Sequence, residues 1–125
     1  MIYGLGTDIV DVARLGTKIA KGNGFKEFVF TPHEIAYCEQ QVHSEEHYAA
    51  RFAAKEALLK ALGTGFMHGG VLFNEIEITN DANGKPLLQL IGNASSRYGQ
   101  LQIKQILVSL SHINTTAVAT VIIEV

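Results

Sequence analysis

The sequence predicts an α+β fold in which a long buried helix packs on an antiparallel sheet. Three observations carry this. Residues 31–34, TPHE, place a threonine, a proline and, three residues after the threonine, a glutamate; a capping box with proline at the first helical position marks a helix start. Residues 73–79, FNEIEIT, alternate apolar and polar side chains with the period of a half-buried strand. NDANGKP then holds Asn-Gly and a proline, the chemistry of a turn between strands, before the apolar run PLLQLIG. Helices in the first half and hairpins in the second separate this pattern from an alternating α/β chain.

The remaining elements follow in order. Residues 2–10, IYGLGTDIV, read as a strand, and 12–21, VARLGTKIAK, as a helix that GNG ends. The TPHE helix runs to about Gln41. A second start at Ser44 puts Glu45 and Glu46 at the positive end of the helix dipole, and this helix runs to Leu62, where Gly63 supplies a left-handed stop. GNASSRYGQL reads as a short helix or loop with a cap at Asn93 or Ser95. KQILVSLS and TTAVATVIIEV are two more strands, joined by a tight turn near His112 to Asn114.

Composition narrows the class. A chain of 125 residues, 47% of them hydrophobic and 18% charged, predicts one globular domain over residues 1–125. A formal net charge of −2 argues against bulk nucleic-acid binding, which goes with a strongly basic balance. The single cysteine, Cys38, cannot form an internal disulfide, which points to a reducing compartment and a cytoplasmic protein. Nothing in YCEQ activates it as a nucleophile, so packing is its expected role. No apolar run reaches the roughly 18–20 residues of a membrane span. MIYGLGTDIV has no basic start and meets an aspartate early, unlike a signal peptide.

Residues 51–62 carry the chemistry. RFAAKEALLKAL is apolar nearly all the way round, yet its charges do not gather on one wet face as they do on an ordinary surface helix. Such a helix is expected to be buried on more than one side. Two readings stand for Glu56: a routine i,i+4 pair with Lys60, or a carboxylate held beside apolar neighbours because it binds a cation. Asp8 raises the second reading. It lies within an apparent strand, where aspartate is disfavoured, just after two glycines that let the backbone pass close to a neighbour; the alternative is an outward position at a strand end. Two hard carboxylates suit Mg²⁺, which takes one or two of them with waters and phosphates. No histidine or cysteine has zinc spacing. Arg51, Lys55 and Lys60 on this helix, the amides of Gly63, Thr64 and Gly65, and Lys85 on the GKP turn are phosphate-handling groups, without a Walker loop.

GLGTDIVDVARL, TPHE, RFAAKEALLKALGTG, NEIEITNDANGKP and VSLSH, in this order and spacing over nearly the whole chain, resemble the holo-acyl-carrier-protein synthase family, the bacterial small-subunit type of phosphopantetheinyl transferase. The resemblance implies that family's fold and a homotrimer with its active site between neighbouring subunits. It implies transfer of phosphopantetheine from coenzyme A to a serine of apo-acyl carrier protein, with release of adenosine 3′,5′-bisphosphate and with Mg²⁺. It carries the metal ligands over to Asp8 and Glu56, which with Lys60 form the catalytic set. It carries coenzyme binding over to Arg51, Lys60, Gly63, Thr64, Gly65, Lys85, Pro86, Ser111 and His112. Glu56, through water or the metal, and His112 are alternative bases for the serine proton; His112 as a phosphate partner or a packed turn residue are the other readings.

Carrier-protein docking carries over to the first helix around Arg14. Arg14, Lys18 and Lys21 recur at spacings of four and three, followed by Phe25 and Phe28. Such a stripe is either a solvated face or, as the resemblance favours, a surface that steers an acidic partner. The chain departs from the family pattern in three places. Ile113, Asn114, Thr115 and Thr116 occupy a stretch where a tyrosine-alanine pair is common, with Thr116 at the tyrosine position. Asp11 stands for a glutamate, and Asn74 for an acid. The altered 113–116 stretch is what a binding module without catalysis, the competing function, would have to rest on.

Overall fold

The computed structural model describes residues 1–63 and 70–125. Strand β1 (Ile2–Asp11) pairs antiparallel with β5 (Thr116–Glu124), and β5 pairs with β4 (Gln105–His112), giving a three-stranded sheet in the order β1-β5-β4. Strands β2 (Ile76–Asn80) and β3 (Pro86–Leu90) form a separate two-stranded hairpin. The predicted antiparallel strands are therefore present but divided between two sheets. Helices α1 (Val12–Ala20), α2 (Phe25–Val29) and α3 (Pro32–Glu39) precede the long α4 (Ser44–Leu62), and α5 (Gly92–Arg97) follows β3.

Helix α4 has no amphipathic stripe because it has neighbours on most sides: 12 of its 19 residues are buried. Strand β5 turns Ala117, Ala119, Val121 and Ile123 inward, as the two-residue period requires. Strand β1 approaches α4 backbone to backbone. A Cβ at Gly4 would collide with the carbonyl oxygen of Ala61, and one at Gly6 with that of Ala57. Two residues of strand and four of helix each advance about 6–7 Å, so the two glycines meet successive turns of α4.

One buried ion pair ties the helices together. The side chains of Glu34 and Lys55 are both fully buried, with Nζ to Oε1 at 2.7 Å. Oε1 of Glu34 also accepts the Thr31 backbone N–H at 2.9 Å, closing the predicted capping box, and Oε2 accepts the backbone N–H of Ile78 at 2.8 Å. Nζ of Lys55 donates to the carbonyls of Val29 at 2.7 Å and Phe73 at 2.9 Å. Burial lowers the pKa of the lysine and Glu34 pulls it back up. Lys55 is thus a core residue. The expectation that it handles phosphate is corrected, because its three protons are all engaged inside the protein. Cys38 lies one turn beyond Glu34 on α3, has no exposed surface, and burial pushes its thiol up to about 12, in keeping with the packing role.

Several boundaries differ from expectation for local reasons. Helix α3 ends at Glu39, two residues early, because Gln40 and Gln41 tighten onto the carbonyls of Tyr37 and Cys38. Residues Phe73–Glu75 form a 3₁₀ turn, and β2 begins only at Ile76. The Glu75 carboxylate explains this: it accepts the Leu72 N–H at 2.9 Å and the Ala94 N–H at 3.1 Å. That second bond caps α5 from a distant turn, so neither Asn93 nor Ser95 serves as the cap. Helix α2, unanticipated, is a short turn entered through Gly24 at φ +91°.

Replacing Lys55 by Met leaves the Glu34 carboxylate without its counter-charge and two carbonyls without a donor. Urea unfolding should show a loss of about 3–5 kcal/mol for Lys55→Met; a loss below about 1 kcal/mol would show that the pair does not organise the fold.

Candidate active site

The glycine contacts of β1 decide where Asp8 goes. Gly4 and Gly6 hold the strand against α4, and Asp8, next on the same side, is delivered beside the Glu56–Lys60 turn. Lys60 donates to the carbonyl of Thr7 at 3.0 Å and to Oδ1 of Asp8 at 3.1 Å. The routine Glu56–Lys60 pair is therefore not what forms; the lysine crosses to β1 and orients Asp8. Among the described residues Glu56 has neither a hydrogen bond nor an ion pair. Burial raises its pKa first and the nearby Asp8 charge second, with Lys60 opposing both. Two carboxylates thus face one another in a partly dry site, which is an electrostatic cost that a cation removes.

Asp8 and Glu56 line one pocket of about 420 Å³. Arg14 and Lys18 border it, as do Asp11, Leu15 and Phe52. Asp11, the residue that stands for a glutamate, acts locally, since its carboxylate accepts the Arg14 N–H at 2.8 Å and caps α1. Phe25 packs on Phe52 with ring centres 6.4 Å apart, and Lys18 lies 5.8 Å from the Phe25 ring. Lys21 is exposed at the end of α1. Of the predicted carrier-docking residues, Arg14 and Lys18 thus line the carboxylate pocket and Phe25 packs on its Phe52 wall, whereas Lys21 lies at the end of α1.

A second pocket, of about 200 Å³, collects a different part of the predicted set. Arg51, Pro86 and His112 line it together with Tyr37, His47, Asn80 and Gly84. Arg51 is 2% exposed, its guanidinium lies 4.0 Å from the centre of the Tyr37 ring, and Nη2 donates to Oδ1 of Asn80 at 2.7 Å. Asn80 in turn donates to the carbonyl of Gly84 at 3.1 Å. Asp81 Oδ1 takes the backbone N–H of Asn83 at 2.8 Å and of Lys85 at 2.9 Å, which fixes the GKP turn. Among the described residues, the buried Nε of Arg51 has no hydrogen-bond partner. A buried guanidinium beside a histidine, with a polar atom to spare, is suited to an anion.

Among the described residues, the predicted set therefore does not form one site within one chain. Arg51 and Glu56 are five positions apart on α4, about 140° around the helix axis, so the two groups open on different pockets. Ser111 is exposed on β4, Lys85 is exposed on its turn, and Gly63 ends α4 at φ +79°. Thr64 and Gly65 lie outside the described residues. The stretch that departs from the family pattern makes an ordinary hairpin: Ile113 N–H donates to the Thr116 carbonyl at 2.9 Å, and Thr116 pairs with Asp11. The sequence does not mark Asn80, Tyr37 or Glu46, which holds His112 Nδ1 at 2.9 Å, as site residues. Asn80 sits within NDANGKP, where turn chemistry masks it; Glu46 reads only as a helix-start acid, and Tyr37 carries no local signal.

A family profile, the 4′-phosphopantetheinyl transferase superfamily, matches residues 4–121. The chain is 46% identical over 125 residues to the holo-(acyl-carrier-protein) synthase of Geotalea daltonii, covering 99% of each. Among solved structures it resembles the holo-(acyl-carrier-protein) synthase of Neisseria meningitidis, with 38% identity, a TM-score of 0.90 and 100% of each chain covered. It also resembles that of Bacillus anthracis in complex with CoA (3′,5′-ADP), with 35% identity, a TM-score of 0.81 and coverage of 99% of this chain and 97% of that one. With matches that run from β1 to β5 and a fold shared along its whole length, the chain belongs to the 4′-phosphopantetheinyl transferase superfamily.

Proposed function

We propose that the chain, as a single domain in the cytoplasm, transfers 4′-phosphopantetheine from coenzyme A to a serine hydroxyl of apo-acyl carrier protein. The serine hydroxyl gives up its proton to a base, a Glu56-linked water being the nearer to the carboxylate pocket, and its oxygen bonds to the phosphorus that carries the pantetheine. The bridging P–O bond to the adenosine-side phosphate breaks, and adenosine 3′,5′-bisphosphate leaves. The observation that carries this reading is the convergence of Asp8 and Glu56 in one pocket that Arg14 and Lys18 also line, with Lys60 bonded to Asp8. The relatives named for this reaction, and the coenzyme bound in the Bacillus anthracis structure, support the substrate class.

The pocket fits Mg²⁺. Glu56 is pushed toward its neutral form by burial and by Asp8, and a divalent ion reverses that preference. Mg²⁺ keeps waters and substrate oxygens in its shell, so two protein carboxylates are enough to hold it. Asp8 and Glu56 would hold it, and it would supply charge neutralisation at the diphosphate. Lys60 spends donors on Thr7 and Asp8 and, with its side chain 55% exposed, keeps a third for a phosphate oxygen. Arg51 and His112 bind a phosphate of the coenzyme in the second pocket. Arg14, Lys18 and Lys21 meet an acidic carrier protein, with Phe25 beside them.

A second copy of the chain would bring the two pockets together. The outer face of the three-stranded sheet exposes Tyr3, Leu5 and Ile9 of β1, Leu107 of β4 and Val118 of β5. An apolar face of this kind is characteristic of an interface, and we read it as the surface of a homotrimer whose neighbouring subunits each contribute one pocket. No helix among the described residues is long and apolar enough to cross a membrane.

Incubation with coenzyme A, Mg²⁺ and apo-carrier protein should raise the carrier's mass by one phosphopantetheine; an unchanged mass defeats the reading. Light scattering at assay concentration should give a trimer, and a monomer would exclude a site shared between subunits. Glu56→Gln should lower transfer roughly 100-fold or more and should also change stability with a defined sign. Because the folded-state pKa of Glu56 is raised, its ionised form costs stability above that pKa and nothing below its ordinary value of 4.5. Without metal, Glu56→Gln should therefore melt higher than the parent at pH 7–8, with the difference vanishing toward pH 4.5. Equal melting at pH 7–8 would remove the argument for a strained carboxylate pair.

A further inference from the structure

The phosphate reading leaves Glu46 without a role, yet Glu46 is the group that holds His112. It stands in the first turn of α4, and its Oε1 accepts from Nδ1 of His112 on β4 at 2.9 Å, across 66 residues of sequence. The pair is only partly wet: the Glu46 side chain is 14% exposed and that of His112 is 31% exposed. The imidazole is also held from the side. The His47 ring meets it edge-on with centres 5.2 Å apart, and Tyr37 meets His47 at 5.9 Å. The other charged or titratable residues that line the pocket are Arg51 on α4 and Tyr37 on α3. Burial lowers the pKa of His47, His112, Arg51 and His43 lower it further, and Glu46 opposes them.

A carboxylate is an acceptor only, so the Glu46 contact requires a proton on Nδ1 of His112. In the neutral ring Nε2 then carries a lone pair, which repels a phosphate oxygen. Accepting a phosphate therefore requires a second proton, taken from solvent onto Nε2. The resulting cation lies between two anions and makes a charge-assisted bond to each.

We propose that Glu46 is a positioning residue for coenzyme binding, which orients the His112 ring and supports its doubly protonated form when a phosphate occupies the Arg51–Pro86 pocket. This rests on the reading that this pocket receives a phosphate of the coenzyme.

The test is titration calorimetry of the intact protein with coenzyme A at pH 7.5, in two buffers of different ionisation enthalpy, which counts protons taken up on binding. The parent should bind with net proton uptake. Glu46→Gln keeps a hydrogen-bond acceptor but loses the charge, and should bind about tenfold more weakly with less uptake. Glu45→Gln removes the same charge from the same helix turn without touching His112, and should match the parent. Parent-like affinity and uptake in Glu46→Gln, beside weakened binding in His112→Ala, would overturn the proposal and leave the pocket reading intact. An equal loss in Glu45→Gln and Glu46→Gln would also overturn it, because the effect would then belong to the helix terminus. Failure of the parent to bind, or unchanged binding in His112→Ala, would overturn the pocket reading and the proposal with it.

Discussion

A single buried ammonium organises this molecule. Lys55 gathers the end of α2, the start of α3 and the turn before β2 around α4, through Val29, Glu34 and Phe73. Ion pairs without solvent are often no better than apolar packing of the same volume, because desolvation offsets their attraction. Here the pair does something apolar packing does not: its hydrogen bonds are directional, and they fix the rotation of α4 about its own axis. Rotation matters because the helix presents different chemistry on different sides. With Lys55 pinned inward, Arg51 one turn earlier stacks on Tyr37, and Glu56 immediately after it emerges beside β1.

The contact between β1 and α4 sets the other coordinate of the site. Where an ordinary strand holds a helix about 10 Å away through side chains, Gly4 and Gly6 allow direct backbone approach. Asp8 thereby comes close enough to raise the pKa of Glu56 and to receive Lys60. Burial and the Asp8 charge both disfavour the ionised form of Glu56, and a cation placed between the two carboxylates would remove that cost.

Much of this was legible in the linear sequence where local chemistry decides the outcome. The Thr31–Glu34 box, the Gly63 stop, the Asn-Gly turn and the span of α4 all depend on residues within four positions of each other. The uneven charges of RFAAKEALLK correctly signalled burial on several sides. What local reading could not see were bonds between distant segments. Glu75 caps α5 from 19 residues away and converts the start of a predicted strand into a 3₁₀ turn. Lys55 looked like a phosphate ligand because a lysine one residue before Glu56 resembles any other surface lysine until the core closes over it. The split of the predicted site into two pockets was written into the five-residue step from Arg51 to Glu56.

Cys38 turns the central seam into something that can be watched. It lies on α3 a single helical turn from Glu34, sealed and held as an unreactive thiol. A maleimide or disulfide reagent reaches it only when α3 lifts from α4, so the labelling rate reads the frequency of that opening under native conditions. Ligands that clamp α4 should slow the chemistry at a sulfur they never touch, which makes this thiol a native stopwatch for the breathing of the whole scaffold.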